Sequence, residues 1–208
     1  MPRDYVKDPT EIYRQSFATI EAEAHLDAVP QSLRAVARRM IHACGMTDLT
    51  DDLAWSGDPV AAARHALRDG APILADAQMV ASGIIRGRFP NTEVVCAIAE
   101  DEVARVAHRL GTTRSAAAVE LWRSRLQGAI VAIGNAPTAL FRLLEMLADG
   151  APKPAAILGI PVGFVGAAES KDALAANALG VPYLIVRGRI GGSAMTAAAV
   201  NALAKEGL

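Results

Sequence analysis

The chain has 208 residues, a formal net charge of −1, and 52% hydrophobic against 21% charged residues. Length and composition fit one globular domain over residues 1–208, with a real core, and leave no excess of positive charge for a broad nucleic-acid surface. Two cysteines, Cys44 and Cys96, give no disulfide framework, and no apolar run is long enough to span a bilayer or read as a leader, so a cytoplasmic protein outside the membrane is expected.

The predicted elements begin with a helix over residues 8–23. Pro9 suits its first turn, and Tyr13, Phe17, Ile20 and Ala24 recur at helical spacing. A second helix covers 31–44. Leu33, Val36, Ala37, Met40, Ile41 and Cys44 form its apolar stripe, and Gly45 ends it. Asp58 and Pro59 open a third, with Val60, Ala63 and Leu67 inward and Gly70 past its end. Short apolar runs then alternate with helical stretches. The runs at 72–75, 94–98, 130–133, 155–158 and 183–186 read as strands, and 101–110, 113–126, 137–147, 169–179 and 193–205 read as helices. Near-continuous apolar strands between helices mean a parallel sheet covered on both faces. The expected fold is a three-layer α/β domain: a doubly wound, five-stranded parallel sheet with extra N-terminal helices.

Two glycine-rich turns stand at strand exits, GNAPTAL at 134–140 and GIPVGFVGAAESK at 159–171. They put backbone N–H groups on one rim, where open α/β sheets bind ligands. Gly134 and Thr138 are candidates for ligand contact, while Asn135 reads as a helix cap and Pro137 as a first-turn residue. Neither turn has the spacing of a dinucleotide or P-loop fingerprint. Arg114 and Lys171 sit near helix N-termini, where a cation opposes the helix dipole. Either they meet an anion between them or they turn to solvent. Arg187 and Arg189 flank the fifth strand exit, Arg86 and Arg88 flank another turn, and Ser193 reads as the cap of the last helix.

His42 has Arg38 and Arg39 four and three positions before it, so all three share one helix face, away from the apolar stripe. Two readings stand for it: an exposed basic face, or a group that gives or takes a proton once an anionic ligand is bound. Ser16, in the middle of the first helix, reads by itself as a neutral surface hydroxyl. Cys44 and His42 point apart, so they make no nucleophile–base pair. The four histidines and two cysteines show no metal-ligand spacing, and no nucleophile elbow occurs.

Several long strings, in collinear order over nearly the whole chain, resemble the precorrin-8X methylmutase family of cobalamin biosynthesis. They are YRQSF at 13–17, RMIHACG at 39–45, GAPILADAQMV at 70–80, TRSAAA at 113–118, VAIGNAPTALFRLLEML at 131–147, the stretch 150–174 and the stretch 180–204. The resemblance implies an isomerase that converts precorrin-8X to hydrogenobyrinate by migration of a methyl group between adjacent ring carbons. It implies no cofactor and no metal ion. It implies a flavodoxin-like or Rossmann-like fold and a homodimer with the active site near the subunit interface. By position, His42 matches the family's proton donor or acceptor, Ser16 its YxxSF serine, and Arg114 the arginine of TRSAAA. Arg39, Gly134, Asn135, Lys171 and Arg187 complete the expected substrate-binding set for a tetrapyrrole polycarboxylate. Ile85 stands where the family is expected to carry Thr. Three other readings remain open: the cobalt-containing version of the same step, a non-catalytic tetrapyrrole carrier that would need the arginines but not His42, and a nucleotide-binding α/β enzyme.

Overall fold

The computed structural model describes residues 5–204. Helix α1 (Pro9–Glu23) starts at Asp8, whose carboxylate accepts the Thr10 N–H at 2.9 Å, with Pro9 in the first turn. Helix α2 (Gln31–Cys44) buries Leu33, Val36, Ala37, Met40 and Ile41, and ends at Gly45 in the left-handed region at φ 73°. Strand β1 (Leu53–Ser56) leads to α3 (Pro59–Arg68), which Asp58 caps through the Ala61 N–H. Next come β2 (Ile73–Ala75), α4 (Gln78–Gly83), β3 (Val94–Val95), α5 (Asp101–Leu110) and α6 (Arg114–Glu120). The described chain closes with β4 (Ile130–Ile133), α7 (Pro137–Ala148), β5 (Ala156–Gly159), α8 (Ala167–Ala176), β6 (Tyr183–Val186) and α9 (Ser193–Asn201).

The strands form one six-stranded sheet in the order β1-β6-β5-β4-β2-β3. The five predicted strands are all present and mutually parallel. The expectation of five strands is corrected by β1, which lies antiparallel at the edge and pairs Leu53 with Val186 and Ser56 with Tyr183. Its sequence, LAWS, is short and only its first residue is buried, so it lacks the long buried apolar run that marks an interior parallel strand. Helix α4 was also unpredicted: it is six residues long and has no side-chain cap. The predicted helix 113–126 stops at Glu120, with a short 3-10 turn at Arg123–Arg125 beyond it, and the predicted 169–179 is displaced to Ala167–Ala176. The last helix ends at Asn201, and position 205 of its predicted span lies outside the described residues.

Alternation along the strands divides the core into two layers. Ile73, Ala75, Ile130, Ala132, Leu158, Leu184 and Val186 face α1 to α4 and α9, where Met40, Val60, Val80 and Val200 meet them. Leu74, Val131, Ile133, Ile157 and Ile185 face α6 to α8, against Val119, Leu140, Leu143 and Leu174. Strand winding runs from β2 to β3 in one direction and from β4 through β6 in the other. The reversal therefore lies between β2 and β4, whose carboxyl ends, Ala75–Asp76 and Ile133–Gly134, sit side by side.

Candidate active site

The carboxyl ends of β2 and β4 form the crevice in which an open α/β sheet ordinarily takes a ligand. Here the turn's backbone N–H groups are taken by an acid of the protein itself. The Asp76 carboxylate, 1% exposed, accepts the backbone N–H groups of Gly134, Asn135 and Ala136 at 2.9, 3.0 and 2.7 Å. Burial pushes its pKa up, against the three donors that favour the charged form. Gly134 is buried, and a Cβ there would stand 2.5 Å from Thr196 Oγ1 and 2.9 Å from Val80 Cγ2. The predicted cap at Asn135 is replaced: Ala136 precedes α7 without a side-chain bond, and Asp76 takes the N–H groups of the turn. Asp76 was not singled out from the sequence. Its one signal is an acid set directly after the apolar run ILA, at a strand exit.

The other rim residues separate. Lys171 is fully buried, and its ammonium donates to the carbonyls of Pro161 at 3.1 Å and Ile190 at 2.7 Å. Burial lowers its pKa to about 8. Lys171 thus clamps the loops after β5 and β6 together, and the expectation that it either turns to solvent or meets an anion is corrected: long as its stem is, two main-chain carbonyls enclose the charge. Arg187 is exposed and its backbone N–H donates to the Asp52 carbonyl at 2.8 Å. The Arg189 guanidinium lies over the exposed Phe164 ring, 5.4 Å from its centroid. Arg114, exposed in the first turn of α6, donates to the Ile98 carbonyl at 2.9 Å, while Thr113 caps the helix and bonds Thr138. Ser193 is the first residue of α9 rather than its cap; Gly192, at φ 127°, precedes it, and no side chain caps the turn.

A second group forms where α1 crosses α2. Tyr13, Ser16 and Phe17 share one face of α1, and Arg39 and His42 share one face of α2. Ser16 Oγ and His42 Nδ1 are hydrogen-bonded at 2.8 Å. The Tyr13 and Phe17 rings stack on the imidazole, with centroids 5.4 and 5.2 Å away. Arg39 stands over the Phe17 ring at 5.2 Å. Arg38 is ion-paired with Glu21 of α1. His42 is half-buried, and among the described residues its Nε2 has no hydrogen-bond partner. Two rings and one hydroxyl therefore fix the plane of the imidazole while leaving one nitrogen to a ligand. The Ser16 hydroxyl both donates and accepts, so it serves either tautomer of His42. Of the predicted site residues, the structure joins Ser16, Arg39 and His42 in one cluster, and sets Gly134, Asn135, Arg114, Lys171 and Arg187 along the sheet rim.

The sequence profile of the precorrin-8X methylmutase family matches residues 11–206. The chain belongs to the precorrin-8X methylmutase family. It is 62% identical to a precorrin-8X methylmutase of Pseudomonas aeruginosa over 98% of each chain. It is 36% identical to a cobalt-precorrin-8 methylmutase of Priestia megaterium, covering 94% of this chain and 87% of that one. A crystal structure of a precorrin-8x methyl mutase from Thermus thermophilus superposes with a TM-score of 0.84 at 39% identity, covering 93% and 94% of the two chains. The methylmutase fold is thus shown as a mixed α/β domain with a single six-stranded sheet. Family membership makes the chain an isomerase of cobalamin biosynthesis. Among the described residues no helix is long and apolar enough to cross a membrane, and no three His, Cys, Asp or Glu side chains gather as metal ligands.

Proposed function

We propose that the enzyme converts precorrin-8X to hydrogenobyrinate, moving a methyl group between adjacent carbons of the tetrapyrrole ring with His42 as proton donor and acceptor. The observation that carries this reading is the Ser16–His42 pair: one imidazole nitrogen is held at 2.8 Å and the other is left to the ligand. Nε2 passes a proton to the conjugated ring system, electron density is drawn toward the protonated position, and the methyl migrates with its bonding pair. The proton returns to His42 as the product tautomer forms, so the step is an isomerisation with no net gain or loss. General acid assistance of this type is worth about a hundredfold to ten-thousandfold. Holding one ring conformation against the helices supplies the remainder.

The substrate is a polycarboxylate, and Arg39, beside His42, meets one of its acid groups. Ser16 orients the histidine. Arg114, Asn135, Gly134 and Arg187, along the sheet rim, complete the proposed substrate-binding set, and Lys171 fixes two loops of that rim. The metal-free substrate is supported by identity: 62% and 60% to relatives named for precorrin-8X, against 33–38% to those named for cobalt-precorrin-8. The strand order of the five parallel strands supports a flavodoxin-like, doubly wound topology. The exposed apolar side chains of Met79, Phe164 and Val165 support a homodimer with the active site near its interface. A cytoplasmic location follows from the biosynthetic role. Incubating the protein with precorrin-8X and, separately, with its cobalt complex tests the reading by visible absorption. Conversion of the metal-free substrate is expected. Conversion of the cobalt complex alone, or binding of both without conversion, overturns it.

A further inference from the structure

A cleft of about 1160 Å³ opens beside α2, outside the residues that the family resemblance singles out. Its walls come from the first half of α2, the last turn of α3, the segment 88–92 before β3, and the chain after α9. Five arginines line it, Arg34, Arg38, Arg64, Arg68 and Arg88, and among the described residues no Asp or Glu does. Among the described residues, four of the five are held by neutral partners. Arg64 donates to the carbonyls of Leu203 and Ala202, Arg88 to that of Asn201, Arg34 to that of Val29, and Arg68 to the His65 ring. Among the described residues only Arg38 has an acid, Glu21, and even so its Nε is buried without a hydrogen-bond partner. Arg88 satisfies the last carbonyl of α9 and Arg64 the two carbonyls just past its end, a capping role that accounts for two of the five. Arg34 and Arg68 have no such task. A guanidinium carries five N–H donors, so each side chain keeps several for a ligand.

The cleft and the histidine site share a wall. Gln31, Ala35, Arg38 and His42 follow at spacings of four, three and four along α2, which keeps them on one helix face. Arg38, at the cleft edge, is one turn and about 6 Å along the axis from His42. Glu21 of α1 pairs with Arg38 on that face, so a ligand that reaches both sites lies beside this ion pair. Its body meets Tyr13, Phe17 and His42, and its periphery meets guanidinium groups, whose planar fork matches carboxylates.

We propose that the five-arginine cleft receives carboxylate arms of the tetrapyrrole whose ring lies against His42, and that Arg34 and Arg68 read those arms. The proposal rests on the reading of His42 as the reacting group. The test compares binding of hydrogenobyrinate and of its fully esterified, uncharged form by visible difference titration. Arg34→Gln with Arg68→Gln is expected to weaken the polyacid about a hundredfold, because each substitution removes one charge-assisted hydrogen bond, and to leave the ester unchanged; Arg68→Lys in place of Gln recovers part of the affinity. An unchanged Kd for the polyacid overturns the proposal, and so does equal weakening of acid and ester, which marks damage to the fold. Benzenehexacarboxylate serves as a free polyanion. If it binds wild type, does not bind the double variant and fails to compete with hydrogenobyrinate, the cleft is a separate anion site and the proposal falls. His42→Ala separates the two readings: turnover surviving in that variant refutes the role of His42, whereas the cleft stands or falls on the acid-against-ester comparison.

Discussion

The switch point of the sheet and the crossing of α1 with α2 differ in what their polar groups are bonded to. At the switch point the carboxylate of Asp76 takes three turn N–H groups, Gly134 is packed against Thr196, and the Lys171 ammonium is enclosed by two carbonyls. The carboxylate, the three N–H groups and the ammonium there all have protein partners, as buried polar groups require. At the helix crossing, among the described residues, His42 keeps a free nitrogen, Arg39 rests on an aromatic face, and four of the five guanidinium groups of the nearby cleft have no acid partner. The first region is bonded within itself, and the second keeps the hydrogen-bonding capacity that the proposed site would use. A glycine-rich turn at a strand exit is therefore not by itself a ligand site: here its N–H groups are already taken.

If the rim is a frame, changes there act on stability. Asp76→Ala leaves three turn N–H groups without their acceptor and is expected to cost about 3 kcal/mol or more, measured by urea unfolding; a loss below about 0.5 kcal/mol, within the range of ordinary surface changes, would show that the rim is not held by Asp76. Gly134→Ala forces a methyl into Thr196 and Val80 and should cost about 1–3 kcal/mol, with the same readout. At the helix crossing the signature is reversed. Ser16→Ala should leave the melting temperature nearly unchanged and lower kcat by about tenfold, the worth of one hydrogen bond that orients the imidazole. A shift in the pH profile of kcat should accompany it, which a purely structural role would not produce.

A further effect expected is a slope with pH. The folded Lys171 has a pKa near 8 against its ordinary 10.5. Below about pH 8 both folded and unfolded chains carry the proton, and burying the charge costs stability throughout. Between about 8 and 10.5 the unfolded chain keeps a proton that the folded one has lost, so this group's contribution rises with pH. Unfolding of wild type and Lys171→Met at a series of pH values should show wild type gaining on the variant across that window. Parallel curves would mean that the ammonium is not enclosed as described.

Much of the frame was legible because it is built from repeating patterns. The five parallel strands announce themselves as apolar runs, and Asp8, Asp58 and Gly45 mark helix ends by local chemistry. Strand β1 escaped because an edge strand buried at one residue has no such run, and α4 because six residues carry too few turns to show a period. The geometry of the site was less legible. Ser16 and His42 are 26 positions apart, and their pairing depends on how two helices cross, which no local spacing encodes. The arginines beside His42 put it in view, whereas only resemblance to a family did so for Ser16. Lys171 misled because a charge at a helix start was weighed against the dipole and solvent alone, and the two carbonyls that hold it come from loops 10 and 19 residues away.

The central claim is that the reaction takes place at the helix crossing, with His42 moving the proton. Single-turnover visible spectroscopy of His42→Ala with precorrin-8X tests it most directly. The expected result is a substrate spectrum that persists, with binding near the wild-type Kd and conversion slowed by about a hundredfold or more. Conversion at the wild-type rate in His42→Ala would contradict the claim and return the search for the reacting group to the sheet rim.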